Sequence, residues 1–333
     1  MTCLCNLPGM ISVEKLRSIK TLACHADCPD GLASAMILRQ ALPSAEVIFV
    51  QYNSIEMANL KAEPGILFCD FCPPQDRYRE FLEAGAIVLD HHKSTKHIVL
   101  EFGENGVYAD EKTEPGVSGA VLAFREVWNP LMEGIQSDNT VQQLYDRCVA
   151  GLIERFAQLA GIRDTWQKQS PDWEEACAQA AALMFYPKGD WLGARVDQWK
   201  SMFEIGPTLR RKQADNVTRA IKDSFRFTSA KGTRVIMFQG TSATVSDAAE
   251  LLGTEADLVV AFSYMCEENE PKVIYRLRSR GSFDCSRFAK MWPPGGGHTN
   301  SAGFSLKVPS GGATNSPYEF LHELLSRYEN SGE

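Results

Sequence analysis

The sequence predicts an α/β protein of two domains. In the first half of the chain, short apolar runs alternate with stretches of helical pattern, which is typical of a mostly parallel sheet with helices on both faces. Helical patterns dominate the middle, and strand patterns return after about residue 225. We therefore expect a larger domain over residues 1–190, a helical linker over 191–224 and a smaller α/β domain over 225–333, with a cleft between the domains.

Each element follows from its local pattern. Strands are predicted in the first domain at residues 22–24, 47–50, 66–69 and 86–89, and in the second at 234–238, 257–262, 273–277 and near 302–308. Helices are predicted at residues 32–42, 77–84, 118–128, across most of 141–220, and at 246–252 and 317–328.

Composition limits what the protein is expected to bind. The formal net charge is -8, which opposes the phosphate attraction needed to grip a long duplex, so we expect short substrates and no duplex DNA. The sequence shows neither an apolar run of about 18 residues nor a signal-like start, which predicts a cytoplasmic protein with no membrane interaction. The ten cysteines are irregularly spaced, and we expect reduced thiols.

Metal-ligand side chains follow three of the predicted strands. They are His25, Asp27 and Asp30 after the first strand, Asp70 after the third, and Asp90, His91 and His92 after the fourth. The carboxyl edge of such a sheet is where ligands bind. Carboxylates and imidazoles that converge there suit a pair of divalent ions, and such pairs serve phosphoryl chemistry. Cys28 and Cys72 would also lie near the ions.

Each of these groups also has a structural alternative. Asp27 or Asp30 could cap the following helix, although capping does not explain His25. A lone aspartate such as Asp70 is common at a strand end. The adjacent histidines are the stronger signal, because neighbouring side chains point in different directions and one can bind metal while the other reaches substrate.

Two features of the second domain predict anion binding. Three glycines, Gly295, Gly296 and Gly297, precede His298 and would let backbone amides approach a phosphate closely. The alternative is a flexible loop after the two prolines. Arg276, Arg278 and Arg280 alternate on a predicted strand, which would place the three guanidinium groups on one face.

These motifs together resemble the DHH superfamily of phosphoesterases over nearly the whole chain. His25 to Gly31 resembles the first motif, Asp70 the second, and Asp90-His91-His92 the motif that gives the superfamily its name. Asp164, in Arg163-Asp164-Thr165-Trp166, resembles the fourth metal-binding aspartate. The glycine run with His298, together with Arg278-Ser279, resembles the DHH-associated substrate-binding domain.

The resemblance implies a role for each of these residues. It implies a manganese pair, with Mg²⁺, Co²⁺ or Fe²⁺ as alternatives, and Asp70 between the two ions. The implied ligands are His25, Asp27, Asp30, Asp70, His91 and Asp164. Asp90 would orient an imidazole, and His92 would contact the phosphate. Arg276, Arg278, Ser279, Gly295, Gly296, Gly297 and His298 would bind the substrate. The chain departs from the usual pattern because two residues, Cys28 and Pro29, separate the first two aspartates, which leaves open which aspartate binds which ion.

The implied activity is hydrolysis of phosphate esters by metal-activated water. The expected substrates are short single-stranded oligonucleotides or nucleotide signals, including linear or cyclic dinucleotides and pAp. A pyrophosphatase or polyphosphatase is the first alternative, and a nucleotide-binding or RNA-binding module without turnover is the second. The sequence leaves the oligomeric state open, a homodimer included.

Overall fold

The computed structural model describes residues 11–52, 54–133, 140–267, 270–293, 295–307 and 316–331. The chain divides into two compact units, the first ending at Arg210 and the second beginning at Arg211. Each unit contains a sheet covered by helices, which confirms the predicted fold class. The division between the units falls inside the predicted linker, and the finer domain boundaries stay a prediction.

The first unit is built on a five-stranded sheet in the order β2-β1-β3-β4-β5. Its strands are β1 (Thr21–His25), β2 (Glu46–Val50), β3 (Ile66–Cys69), β4 (Ile87–Asp90) and β5 (Gly106–Tyr108). All neighbouring pairs are parallel. All carboxyl ends therefore lie at one edge of the sheet.

Helices connect and cover these strands. They are α1 (Val13–Arg17), α2 (Pro29–Ala41), α3 (Ile55–Asn59), α4 (Tyr78–Glu83), α5 (Lys96–Glu101), α6 (Gly119–Ala123), α7 (Asn129–Glu133), α8 (Thr140–Asp164), α9 (Trp173–Leu183), α10 (Lys188–Gly193) and α11 (Val196–Phe203). The next helix, α12 (Gly206–Lys222), continues into the second unit, where Val217 packs into a core. A 3-10 turn covers Gly103–Asn105, and a π-helical turn, Phe124–Trp128, continues α6. Among the described residues, none of the helices is both long and apolar enough to cross a bilayer.

The first sheet is buried on both faces, which explains its continuous apolar strands. On β3, Leu67 and Cys69 pack into one core, whereas Ile66 and Phe68 pack into another on the opposite face. Successive side chains of a strand point to opposite faces, so both sets must be apolar. The only polar positions that this arrangement leaves on β3 and β4 are at their ends, where solvent or a ligand can reach them.

The second unit is built on a six-stranded mixed sheet in the order β10-β11-β9-β8-β7-β6. Its strands are β6 (Phe225–Thr228), β7 (Arg234–Gln239), β8 (Leu258–Glu267), β9 (Glu270–Arg278), β10 (Gly296–His298) and β11 (Ser301–Lys307). Its helices α13 (Ser242–Leu252), α14 (Cys285–Lys290) and α15 (Pro317–Asn330) cover the sheet. Tyr275 and Leu277 face the core that includes α14 and α15, so the alternating Arg276 and Arg278 lie on the opposite face.

The elements that the sequence patterns missed are short or half-exposed. β5 has three residues of intermediate burial, and β6 is an edge strand with three of its four residues exposed. The five-residue α3 buries one side chain, Met57. Each therefore carries too little apolar periodicity to stand out from a loop.

Candidate metal centre

Strand ends bring the candidate residues of the first unit together. β1 pairs with β3 through Cys24 and Cys69, and β3 pairs with β4 through Cys69 and Leu89. The residues that follow these pairs, His25, Asp70 and Asp90, consequently emerge side by side at the carboxyl edge of the sheet. The parallel register of the strands thus places the three predicted motifs at one site.

Asp70 is at the middle of this site and is only 2% exposed. Its Oδ2 lies 3.4 Å from His25 Nδ1, and its Oδ1 lies 3.2 Å from His91 Nε2 and 4.0 Å from His92 Nδ1. Burial alone would raise the pKa of Asp70, but the contacts with His25, His91 and His92 outweigh burial and hold the pKa far below its usual range. Asp70 also has a φ of 57°, a strained conformation of the kind that functional sites retain.

His25 presents an unpaired ring nitrogen to Asp70. Gln51 Nε2 donates to the Ala26 carbonyl at 2.7 Å, so its Oε1 is left to accept from His25 Nε2, 3.2 Å away. This assignment leaves the lone pair on His25 Nδ1. That nitrogen is buried without a hydrogen-bond partner. A lone pair facing a carboxylate oxygen is repulsive, so a positive charge, either a proton or a metal cation, belongs between the two atoms. Burial lowers the pKa of His25, but Asp70 outweighs burial and raises it, which is the direction that favours such a charge.

His91 lies among three carboxylates. Its Nε2 is 3.2 Å from Asp70 Oδ1, 3.5 Å from Asp164 Oδ2 and 3.9 Å from Asp30 Oδ2. Burial would lower the pKa of His91, but these carboxylates, Asp70 first, raise it to about 10. The direction of this change shows that the three acidic groups favour a positive charge at this position.

Asp30 is held by the start of α6. Ser118 Oγ donates to its Oδ1 at 2.7 Å, and the amides of Gly119 and Ala120 donate at 2.7 and 3.1 Å. Burial, followed by Asp70 and Asp164, nevertheless raises the pKa of Asp30 well above its usual value. The close approach requires Gly119, because a Cβ there would lie 2.3 Å from the Cβ of Asp70.

Asp164 reaches the site from the last position of α8. One third of its side chain is exposed, and its Oδ2 faces His91. Burial and then Asp70 raise the pKa of Asp164, although the two neighbouring histidines oppose the rise. Asp30, His91 and Asp164 form one group whose donor atoms lie within 4.8 Å of one another.

Asp90 is fully buried and orients His92. Its Oδ1 accepts from His92 Nδ1 at 2.7 Å and from the His91 amide at 2.9 Å, and its Oδ2 accepts from Thr95 Oγ1 at 2.6 Å. His92 is 41% exposed at its side chain, and its Nε2 is the ring nitrogen left for another partner. Burial would lower the pKa of His92, but Asp90 raises it to about 9.

Cys28, rather than Asp27, points into the site. Cys28 Sγ lies 3.3 Å from Asp70 Oδ2 and forms a second donor group with His25 and Asp70. The side chain of Asp27 is 77% exposed, and its Oδ1 pairs with Lys188 Nζ at 3.0 Å. The structure therefore brings Asp27 neither into these two groups nor into the third, which comprises Asp70, Asp90, His91 and His92. Its φ of 58° is the backbone feature that turns it away.

The remaining candidate residues belong to the second unit. Gly296 pairs with Gly303, and Gly303 pairs with Arg276, whereas Ser301 lies between His298 and Arg278. The glycine run and both arginines thus lie in register across three neighbouring strands. The side chain of His298 lies outside the described residues, as does the proline before Gly295.

The hydrogen-bond partners of Arg276 and Arg278 are neutral groups, which do not compensate the charge of the two guanidinium groups. Arg276 Nη1 donates to Ser263 Oγ at 2.8 Å, and Arg278 donates to Ser246 Oγ at 3.0 Å and to the Leu277 carbonyl at 2.8 Å. Burial lowers the pKa of both guanidinium groups. Ser279 is 3% exposed, and its Oγ accepts from the Gly281 amide at 3.3 Å.

The donor atoms of the first unit fit a divalent cation. An unpaired buried nitrogen, a central carboxylate and two further carboxylates face one another, and oxygen with imidazole suits Mn²⁺, Mg²⁺ or Fe²⁺. The bond from His25 Nε2 to Gln51 is the support that a metal-binding histidine usually has on its other nitrogen. Gln51, Ser118 and Gly119 were not predicted as site residues, although Gln51 follows β2 at the same sheet edge and Ser118 begins a predicted helix.

The fold is similar to those of several solved structures. The chain is similar to a DHH-domain protein described as a member of the s1p family of ribosomal proteins, with a TM-score of 0.52 and 13% identity over 96% of this chain and 87% of that chain. It is also similar to RecJ from Thermus thermophilus in complex with Mn²⁺, with a TM-score of 0.48 and 17% identity over 96% of this chain and 53% of that chain.

A third similar structure is an exopolyphosphatase-related protein from Bacteroides fragilis, with a TM-score of 0.42 and 12% identity over 95% of this chain and 94% of that chain. No protein-family model matches the chain, and no curated protein sequence matches it. The similarity to the first of these structures confirms the fold that the sequence motifs imply, that of a DHH-domain protein.

Proposed function

We propose that this chain, which has the fold of a DHH-domain protein, is a metal-dependent phosphodiesterase or phosphatase acting on short oligonucleotides or nucleotide signals. The observation that carries the proposal is the unpaired, buried Nδ1 of His25 facing Asp70. The same carboxylate faces His91, which is itself surrounded by Asp30 and Asp164. Asp70 belongs both to the donor group with His25 and Cys28 and to the group with Asp90, His91 and His92, and His91 links the latter to Asp30 and Asp164. Donor groups connected in this way suit a pair of ions.

The proposed cofactor is a pair of divalent ions, Mn²⁺ first, with Mg²⁺, Co²⁺ or Fe²⁺ as alternatives. Bound there, the ions would supply a nucleophilic hydroxide at neutral pH and neutralise charge on the phosphoryl group. The proposed ligands are His25, Asp27, Asp30, Asp70, His91 and Asp164, with Asp70 shared by both ions. Of these, Asp27 would have to leave its ion pair with Lys188 to take part.

His92 is the residue that we propose contacts the phosphate. Asp90 accepts the proton of its Nδ1, which fixes the ring and leaves Nε2 to face the substrate. Although burial lowers the pKa of His92, Asp90 raises it to about 9, and this direction favours a proton on that nitrogen. A positively charged donor held in one orientation stabilises the charge on a phosphoryl oxygen without reorganising during the reaction.

Substrate recognition is assigned to the second unit. Arg276 and Arg278 are half-buried and bonded to neutral groups, which leaves their charge for a phosphate. Across the sheet, Arg276 of β9 is paired with Gly303 of β11, which is paired in turn with Gly296 of β10. The absence of side chains at these two positions leaves the backbone accessible. Ser279, Gly295, Gly297 and His298 complete the proposed binding residues.

The charge and size of these groups favour a short, single-stranded substrate. The net charge of -8 opposes long-range attraction of nucleic acid, so recognition would depend on the few guanidinium groups of the second unit. Oligonucleotides of a few residues, dinucleotides or nucleotide bisphosphates need no more than that. We expect these substrates to be met in the cytoplasm.

A matched substrate panel tests the proposal. Hydrolysis of pApA, a longer oligoribonucleotide, a cyclic dinucleotide, pAp and pyrophosphate is followed by chromatography with Mn²⁺ present. We expect cleavage of one nucleotide class by the unmodified protein and none by His91→Ala. The matched control is His97→Ala, because His97 is an exposed histidine that bonds only to Gln75 among the described residues.

Each outcome of the panel has a definite meaning. Cleavage of pyrophosphate alone would replace the diesterase with a pyrophosphatase. Binding of a dinucleotide without turnover by the metal-loaded protein would replace it with a binding module. Equal activity of His91→Ala and His97→Ala would show that the reaction comes from a contaminant or from another site.

A further inference from the structure

Cys28 places a sulfur atom beside the oxygen and nitrogen donors of the candidate metal centre. It is the residue that caps α2, and its Sγ accepts from the Gly31 amide at 3.1 Å. This bond fixes the side chain, and the thiol of Cys28 donates to Asp70 Oδ2 at 3.3 Å. The conformation of the loop therefore holds the sulfur in the site.

The geometry around Cys28 matches that of three ligands on one ion. Asp70 Oδ2 is 3.3 Å from Cys28 Sγ and 3.4 Å from His25 Nδ1, and all three atoms lie within 4.8 Å of one another. Ligands about 2.0 to 2.3 Å from a common ion are separated by roughly 3 to 4 Å. Two of the three separations fall in this range, and the third, between Cys28 Sγ and His25 Nδ1, is within 4.8 Å.

An independent observation points to an ion at the same place. His25 Nδ1 is buried without a hydrogen-bond partner, and its lone pair is directed at the group that Cys28 completes. Gln51 holds the ring in that orientation from the other side. The site therefore contains an oriented nitrogen donor in addition to the cysteine.

The local sequence explains why a thiol takes this position. Pro29 begins α2, so the residue before it is the cap and projects its side chain towards the helix start. Asp27, one residue earlier, has a φ of 58° and turns outward to Lys188. The thiol of Cys28, and not the carboxylate of Asp27, therefore lies at the edge of the sheet.

We propose that Cys28 is a ligand of the ion held by His25 and Asp70, so that one of the two metal positions has mixed nitrogen, oxygen and sulfur donors. The inference rests on the proposed function, because it concerns an ion of the same centre. On binding, the thiol releases its proton to solvent and coordinates as a thiolate. A sulfur ligand favours Zn²⁺, Co²⁺ or Fe²⁺ over Mg²⁺ at this position.

Cobalt spectroscopy tests the ligand directly and without an activity assay. A thiolate bound to Co²⁺ gives a strong sulfur-to-metal charge-transfer band in the near ultraviolet, whereas nitrogen and oxygen ligands give only weak visible bands. We expect the charge-transfer band when Co²⁺ is added to the metal-free protein. We expect Cys28→Ser to bind Co²⁺ about tenfold or more weakly and to lack the band.

Two further variants make the result specific. Serine caps helices well, so Cys28→Ser keeps the start of α2, and Cys28→Asp keeps it with a hard oxygen ligand. Cys28→Asp should lack the band but recover affinity for Mn²⁺ and Mg²⁺ relative to Cys28→Ser. Cys148→Ser changes an exposed thiol and should retain the band in full.

The outcomes separate this inference from the proposed function. If the protein binds Co²⁺ and hydrolyses a nucleotide but shows no charge-transfer band, or if the band persists in Cys28→Ser, Cys28 is not a ligand and the proposed function stands. If equilibrium dialysis finds no Co²⁺ or Mn²⁺ bound at all, both are wrong. A band that disappears only in the two Cys28 variants establishes the ligand.

Discussion

The functional residues of the two units differ in how the protein compensates their charge. In the first unit, carboxylates converge at the ends of parallel strands, and Asp70 is surrounded by imidazoles rather than by arginine or lysine. In the second, Arg276 and Arg278 lie across the face of a mixed sheet and donate to serine hydroxyls and a backbone carbonyl. The first arrangement calls for a cation and the second for an anion.

This difference has a topological cause. Parallel strands end at one edge, so residues from distant parts of the sequence meet there. Neighbouring strands in the second sheet run mainly antiparallel, so residues in register form rows across a face. These arrangements support the proposal that the first unit holds ions and performs the chemistry and that the second binds the phosphates of a short substrate. Each prediction below tests one side of this contrast.

Asp70→Asn should have the largest effect. The change keeps the size of the side chain but removes the central carboxylate charge, which His25 and His91 both face. We therefore expect loss of metal binding and a fall in hydrolysis of about 10³-fold or more. Metal content and turnover of a simple aryl phosphodiester are the measurements. The control is Asp257→Asn, because Asp257 is paired with Arg234 in the second unit. Comparable losses in both variants would contradict the assignment of chemistry to the first unit.

Removal of metal should destabilise the first unit. An ion that binds only the folded state at 100 times its dissociation constant stabilises that state by about 2.7 kcal/mol. We expect excess Mn²⁺ to raise the thermal midpoint of the first unit and a chelator to lower it, with the transition of the second unit unchanged. Calorimetry with and without chelator measures both. An equal shift in the two units would mean that the effect of Mn²⁺ is not specific to the carboxylate site.

Most of the first-unit residues that the sequence singles out do come together, because their signals are local. Asp90-His91-His92 and Asp70 each follow an apolar strand directly, so the strand end alone fixes where they lie. The direction of Asp27 could not be predicted in this way, because it depends on a positive φ and on the ion pair with Lys188, a residue 161 positions away. Motif spacing therefore located the site but not the orientation of each side chain.

The other residues that the sequence patterns missed depend on contacts between segments that are distant in the sequence. Ser118 and Gly119 begin a recognisable helix, but only the packing of that helix against the sheet brings them to Asp30. The edge strand β6 is mostly exposed and lacks the apolar run that identifies an interior strand. Patterns along the chain report burial, whereas contacts between distant segments are set by the assembled fold.

Gly119→Ala should lower the unfolding free energy, although alanine has the higher helix propensity, because the new Cβ has no room. The new Cβ would lie 2.3 Å from Asp70 Cβ and 2.9 Å from Asp30 Oδ2, so the helix start must move, which we expect to cost about 1 to 3 kcal/mol of unfolding free energy. The control is Gly151→Ala in α8, where a Cβ would meet nothing within 4 Å. That change should stabilise the helix by about 0.5 to 1 kcal/mol. Denaturant unfolding that gave the same sign for both variants would contradict the close approach of α6.

Arg276→Ala should have the smallest effect and should depend on the substrate. The guanidinium group is proposed to bind a phosphate that does not react, so its loss should raise KM for a dinucleotide by about tenfold or more, the value of one charge-assisted hydrogen bond. Turnover of the aryl phosphodiester should stay unchanged, because that substrate has no second phosphate. Arg226→Ala, which removes an arginine of β6 paired with Glu255, is the matched control and should alter neither KM. If Arg276→Ala slowed both substrates equally, the second unit would contribute to the chemical step, and the contrast between an ion-binding edge and an anion-binding face would be wrong.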